Sequence, residues 1–139
     1  GLVRSADVVT LTPVRLVKLR IQPFSTLLRQ HAMFALALAS LETTRLRDLN
    51  RRFALQTADA TSRLLDAMAY LARKSSKEND PLALIPPLPQ KEIALLAGLA
   101  RETASRTLSK LRSRGTVQER DGSLTIVDPQ PLIKRGLID

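Results

Sequence analysis

Alternating apolar and polar residues near the start of the chain predict β-strands. The alternation runs over residues 6–21, most of its apolar residues are β-branched, and Thr12-Pro13 interrupts it. We therefore predict two short strands, at residues 6–11 and 14–20. Two strands cannot bury an apolar face alone, and no further strand-like segment follows until residue 116. The chain is expected to begin inside a β domain whose earlier part is absent from it.

A long helical segment comes next. Pro23 opens a helical stretch, with a short helix over residues 24–30 and a long helix from about residue 31 to 55. A helix of some 25 residues is about 37 Å long and usually has a partner helix. The step of five residues from Leu41 to Leu46 moves the apolar stripe to another face, so one strict heptad seam is not supported. An internal core helix stays open, but a dimerisation helix is favoured, and its candidate contacts are Phe34, Leu38, Leu41, Leu46, Leu49 and Phe53.

A further helix and a linker follow. Residues 59–73 carry apolar residues at helical spacing, and Thr57 or Asp59 can cap this helix. Residues 75–88 are rich in Ser and Pro and have no usable period, which is typical of a linker. The linker is the best internal boundary of the chain.

Residues 89–114 predict two helices joined by a tight turn. Pro89 stands at the start of the first helix, where a missing N–H costs nothing. Gly98 can adopt positive φ in the turn, and Gly115 ends the second helix, residues 101–114. Two helices joined by a short turn that contains Gly form a helix-turn-helix.

A β-hairpin is predicted directly after this pair. Asp121-Gly122 lies between two strand-like runs, residues 117–120 and 124–127, and this dipeptide is a strong hairpin signal. Asp128-Pro129 then begins a last short helix, at about residues 129–135. The hairpin is therefore predicted to be the wing of the helix-turn-helix.

Composition narrows the chemistry of the partner. The 139 residues include 22 Lys and Arg against 13 Asp and Glu, a net charge of +9 that favours nucleic acid. Aromatic residues are scarce, so a base-stacking surface for single strands is not predicted. Cysteine is absent and His31 is the one histidine, which excludes disulfides, a thiolate zinc site and a two-histidine metal site within this chain. No nucleophile–base pair or paired carboxylates occur at useful spacing, so we expect no enzyme and no metal.

The hydropathy pattern also bears on localisation. No apolar run approaches the roughly 20 residues that a membrane-spanning helix needs. Arg4 and Asp7 interrupt any apolar region at the N-terminus, which argues against a signal peptide. We expect a cytoplasmic protein without a membrane partner.

The second helix of the pair carries side chains suited to reading bases. Residues 100–115 hold five basic groups and Glu102, a local net charge of +4. The Arg fork matches guanine O6 and N7, Glu accepts from cytosine N4, and Ser pairs with several bases. Arginine on a helix is also common on a plain solvated face, so the pattern alone leaves both readings open. The candidate base contacts are Arg101, Glu102, Ser105 and Arg106, and the candidate phosphate contacts are Lys91, Thr103, Ser109, Lys110, Arg112 and Arg120.

The segment Arg101-Glu102-Thr103-Ala104-Ser105-Arg106, with Gly98 before it and Gly115 after it, resembles the recognition helix of the Crp/Fnr family of bacterial transcription regulators. The resemblance covers essentially the whole chain. It implies a mainly α fold with small β: remnant β-roll strands, a long dimerisation helix and a C-terminal winged helix-turn-helix. The implied domains are the end of an effector-binding β-roll (1–22), a linker with the dimerisation helix (23–56) and a winged-helix DNA-binding domain (57–139).

The same resemblance implies a function. A homodimer would read a palindromic duplex site with one recognition helix per half-site, and the half-sites would be TGTGA- or TTGA-like. Dimer geometry places such half-sites about one helical turn apart. RNA polymerase is a further implied partner. The alternative, from another class, is a winged-helix protein-interaction module without specific DNA reading.

Three departures from the family pattern matter. Ala100 stands where the family usually places a Ser or Thr cap, which loses an acceptor worth about 1 kcal/mol. Arg4-Ser5-Ala6 resembles the end of a cyclic-nucleotide phosphate cassette, so Arg4 and Ser5 are candidate effector-phosphate residues. The Gly-Glu half of that cassette is absent, and Asp48-Leu49 stands where cyclic-AMP receptors carry a Thr-Ser pair. We expect no cofactor in this chain, with a cyclic nucleotide as the alternative.

Overall fold

The computed structural model describes residues 8–138, and the chain divides into two compact units, residues 1–54 and 55–139. The first unit contains helix α1, Ile21–Gln30, and helix α2, Ala32–Ala54. The long helix predicted at residues 31–55 is confirmed almost to the residue. Helix α1 begins three residues before the predicted start, so that Pro23 falls in its first turn, where a missing N–H costs nothing.

The two predicted strands at residues 6–11 and 14–20 are not formed in the described part, residues 8–20. Their apolar side chains are largely exposed, from 43% at Leu11 to 89% at Val8. A strand needs hydrogen-bonding partners from a neighbouring strand, and alternation in one segment cannot supply them. The expectation of remnant β-roll strands is therefore wrong for these residues. Residues 6 and 7 lie outside the described range, as do Arg4 and Ser5.

Helices α1 and α2 meet at a single residue, His31. Its extended backbone (φ −128°, ψ 94°) breaks the helix, while its N–H still donates to the Leu27 carbonyl at 3.0 Å. Within the described residues, helix α2 contains no buried side chain. The interpretation as a core helix of this chain is therefore not supported.

The second unit builds the predicted winged helix-turn-helix. A 3₁₀ turn at Leu55–Thr57 leads into four helices and one antiparallel hairpin. The mainly α fold with a small sheet is thus confirmed. In the part of the chain that the structure describes, none of the helices is both long and apolar enough to cross a bilayer. The elements of this unit are α3 (Ala60–Ser75), α4 (Gln90–Leu96), α5 (Arg101–Ser113), β1 (Val117–Arg120), β2 (Ser123–Ile126) and α6 (Gln130–Ile133).

Helix α3 is the centre of the core. Asp59 caps it, since one carboxylate oxygen accepts from the backbone N–H groups of Thr61 at 2.8 Å and Ser62 at 3.1 Å. The Ser62 hydroxyl donates to the other oxygen at 2.7 Å, and this bond is the largest cause that lowers the pKa of the Asp59 carboxyl. The apolar face of helix α3 packs against α4, α5 and the wing. The largest fully buried side chains of the core are Leu64, Leu65, Met68, Ile85, Val117 and Leu132.

Candidate nucleic-acid interface

Arg63 of α3, distant in sequence, donates hydrogen bonds to the turn between α4 and α5. Gly98 adopts φ +61°, as the sequence predicts, and redirects the chain between the two helices. The Nε–H of Arg63 donates to the Ala97 carbonyl at 3.0 Å, and an Nη2–H donates to the Gly98 carbonyl. A Cβ atom added at position 98 would lie 2.6 Å from Nη2 of Arg63. The positive φ therefore favours glycine here, and a Cβ atom at this position would displace the end of the Arg63 side chain.

Gly98→Ala is expected to destabilise the second unit by about 1–3 kcal/mol, because a side chain adds left-handed strain and displaces the Arg63 guanidinium. Denaturant unfolding measures this loss. Gly136→Ala is the matched control, since Gly136 also has positive φ (+62°), but a Cβ atom added there would meet no described atom within 4 Å outside its chain neighbours. Equal losses in the two variants would show that the Arg63 contact does not matter.

Helix α5 has one face in the core and the other in solvent. Ala104, Thr107, Leu108 and Leu111 are buried. The opposite face carries the predicted base contacts, which the helical period of 3.6 residues places within an arc of roughly 140° from Arg101 to Arg106. Their exposure differs: Arg101, Glu102 and Arg106 are exposed, while Ser105 is half-buried beside α4.

Helix α5 begins without a side-chain cap. Ala100 has the backbone angles of an N-cap (φ −62°, ψ 145°), but in the described residues no side chain accepts from the first N–H groups of the helix. The predicted loss of an acceptor is therefore confirmed. It contrasts with α3, where Asp59 performs this role.

Ala100→Ser is expected to stabilise the second unit by about 1 kcal/mol, because the hydroxyl oxygen accepts from an unpaired N–H group in the first turn. Ala100 is exposed, so the hydroxyl carries no burial cost. Thermal unfolding measures the gain, and Ala100→Val is the control of larger size without an acceptor. A gain that Val reproduces would contradict the capping explanation.

The predicted phosphate contacts lie on three elements, α4, α5 and β1. Ser109 and Lys110 are exposed on the outer face of α5, and Lys91 is exposed on α4, 3.7 Å from Glu92. Arg120 is exposed at the end of β1, next to the wing turn. Thr103 is half-buried in the first turn of α5, and its carbonyl accepts from the Thr107 hydroxyl at 2.7 Å.

Arg112 differs from the other cations of α5. It is half-buried, and its Nη2 donates to a carboxylate oxygen of Glu119 on β1. This ion pair and the Arg63 contacts are the features that sequence reasoning missed. Both contacts join residues from different elements that the fold brings together, so no local sequence pattern predicts them.

The wing forms as predicted and gains one more contact. Asp121 and Gly122 both have positive φ (50° and 76°), the geometry of a type I′ hairpin turn. The pairing sets Val117 opposite Ile126 and Glu119 opposite Leu124. The predicted linker also joins the sheet, because Ile85 exchanges two backbone hydrogen bonds with Leu124 at 2.9 and 3.0 Å. Strand β2 is therefore hydrogen-bonded along both edges, to β1 on one side and to Ile85 on the other. The internal boundary predicted at residues 75–88 is therefore wrong, and the chain divides instead between residues 54 and 55.

Comparison with known proteins identifies relatives of this helix-turn-helix. A family model described as the Crp-like helix-turn-helix domain matches residues 62–135. A CRP-like cAMP-activated global transcriptional regulator of Mycobacterium tuberculosis is 28% identical over 135 residues, which cover 96% of this chain and 60% of that protein. The chain therefore spans about three fifths of the length of this curated relative.

Two solved structures share the fold. FixK2 from Bradyrhizobium japonicum has a TM-score of 0.68 at 20% identity, covering 81% of this chain and 56% of its own. The c-di-GMP responsive global regulator CLP of Xanthomonas campestris has a TM-score of 0.56 at 24% identity, and the match covers 76% of this chain and 51% of the CLP chain. The family model matches more than half of the residues. The chain accordingly belongs to the Crp/Fnr family of transcription regulators, as its recognition helix predicted.

Proposed function

We propose that this protein is a sequence-specific regulator that binds double-stranded DNA as a homodimer on a palindromic site with TGTGA- or TTGA-like half-sites. One observation carries the proposal. Helix α5 buries Ala104, Leu108 and Leu111, while Arg101 and Arg106 remain exposed on its other side. An α-helix fits the major groove, where an Arg fork pairs with guanine O6 and N7.

Recognition divides between two kinds of contact. Arg101, Glu102 and Arg106 are the base-reading side chains, joined by the half-buried Ser105. Lys91, Lys110 and Arg120 come from α4, α5 and the wing, and these cations give the domain three separated phosphate contacts. Phosphate contacts supply affinity and register, whereas base contacts supply sequence preference.

The proposed homodimer forms through α2. Five of its six candidate contacts are exposed within the described residues, from 50% at Leu41 to 73% at Phe53, and Leu38 is half-buried. Large apolar side chains along one helix favour association with a second helix, because burial removes their surface from water. Two copies would then present two recognition helices to a two-fold site.

The decisive experiment is selection of bound duplexes from a random pool, followed by titration of the selected duplex over a range of salt concentrations. We expect a two-fold symmetric consensus and an affinity at least about 10³ times that for random DNA. Failure to enrich any sequence, together with salt-independent binding, would contradict the proposal and favour a protein-interaction module.

Lys110→Ala is expected to weaken binding to the selected and the random duplex alike. Lys110 is exposed, and none of the described residues forms an ion pair with it, so its charge is available to a phosphate. Loss of one phosphate contact lowers the slope of log Kobs against log salt by about 1. Lys134→Ala, which removes an exposed cation outside the helix pair and the wing, is the control. An unchanged slope in Lys110→Ala would contradict the phosphate contact.

A further inference from the structure

The wing carries a carboxylate on its inner face. Side chains of a strand alternate between faces, so Glu119 shares a face with Val117, which is buried. Across the hairpin, Glu119 lies opposite Leu124, which is 4% exposed. The position therefore borders the apolar side of the wing, while the carboxylate itself is exposed and can take a cationic partner from a neighbouring element.

Arg112 supplies that partner from α5. Its Nη2 donates to Oε2 of Glu119, and the two side chains are 34% and 37% exposed. The Nε of Arg112 is shielded from solvent and meets no acceptor among the described residues. The guanidinium is thus seated against the protein, whereas Lys110, two residues earlier, is exposed.

We propose that the Arg112–Glu119 ion pair is a latch that fixes the wing against the C-terminal part of α5. Glu119 and Arg112 are then positioning residues. By holding β1, they set where the adjacent Arg120 stands relative to the base-reading face of α5. This effect on DNA rests on the proposed function, but the latch itself is a property of the free protein. It also gives Arg112 a role different from the phosphate contact predicted from the sequence.

The change in DNA affinity caused by Glu119→Ala has opposite signs if the ion pair positions the wing and if Glu119 only repels phosphates. Glu119 adds negative charge beside a surface proposed to bind phosphates. Simple charge repulsion predicts that Glu119→Ala tightens DNA binding and frees Arg112 for a phosphate. The latch predicts the opposite, because a loosened wing no longer presents Arg120 at a fixed place.

The first test needs no DNA. In the full chain, amide hydrogen exchange of β1 and β2 is expected to accelerate about two- to fivefold in Glu119→Ala and in Arg112→Ala. The double variant should show no further acceleration, because either single change already breaks the pair. Gln118→Ala, on the other face of β1, and Lys110→Ala are matched controls and should leave the exchange unchanged. Unchanged exchange in the two single variants, or additive effects in the double variant, would overturn the latch.

The second test uses the selected duplex. Glu119→Ala is expected to weaken its binding about two- to fivefold, and Arg112→Ala to weaken it while keeping the wild-type salt slope. Tighter binding by Glu119→Ala, or a slope lowered by about 1 in Arg112→Ala, would overturn the positioning role. If the wild-type chain prefers no duplex, the proposed function fails on that result alone, and hydrogen exchange still decides the latch.

Discussion

Replacing Arg106 by Ala is expected to cost about 1–3 kcal/mol of binding free energy on the selected duplex and to relax the preference at one base pair of each half-site. Arg106 is exposed on the outer face of α5, one turn from Glu102. A bidentate Arg pairs with guanine through two donors, and Ala leaves both guanine acceptors without them. Titration of matched duplexes that differ at that base pair measures the loss.

Arg114→Ala is the matched control for Arg106→Ala. Arg114 is also exposed, but it lies at the C-terminal cap of α5, outside the predicted base contacts. It removes the same charge, so any general electrostatic loss appears in both variants. Arg106→Ala should reduce the ratio of selected to random affinity, whereas Arg114→Ala should preserve it. An equal loss on both duplexes in Arg106→Ala would contradict base reading.

Leu49→Glu is expected to abolish the proposed dimer at micromolar concentration and to lower affinity for the palindromic duplex by about two orders of magnitude. Leu49 is 62% exposed on α2, so a charge there does not disturb the packing of a single copy. In a helix-to-helix interface the same charge is buried without a partner, which costs about 3–5 kcal/mol. Sedimentation equilibrium measures the association of the two copies, and DNA titration measures the affinity for the palindromic duplex.

Ser40→Glu tests whether the position of the charge matters. Ser40 is exposed and nine residues from Leu49, or about two and a half turns, which places it on the opposite side of α2. It introduces the same group and the same change of net charge. We expect Ser40→Glu to remain dimeric. A dimer that persists in Leu49→Glu, or a wild-type chain that is monomeric at these concentrations, would contradict the role of this face.

Local signals made most of the second unit predictable from the sequence. Positive φ at Gly98 and Gly115, and the Asp121-Gly122 turn, each depend on one or two residues and their backbone preferences. The burial of Leu108 and Leu111 follows from the helical period alone. These signals fix where helices and turns begin and end, and hence which face of α5 is exposed.

Features that depend on distant partners could not be predicted in the same way. The alternation over residues 8–20 has the pattern of a strand, but no described strand pairs with it. Arg63 reaches carbonyl groups 34 and 35 residues away, and Arg112 of α5 pairs with Glu119 of β1. The sequence presents Arg112 as one of several helix cations, and only the hairpin register distinguishes it from Lys110.

Guanine analogues test most directly whether Arg106 reads a guanine edge in the major groove. Replacing single guanines of the selected half-site by 7-deazaguanine removes the N7 acceptor and keeps Watson–Crick pairing. At one guanine per half-site, we expect the analogue to weaken wild-type binding about fivefold or more and to leave Arg106→Ala unaffected. If every analogue duplex binds the wild-type chain as tightly as the unmodified duplex, the claim is contradicted.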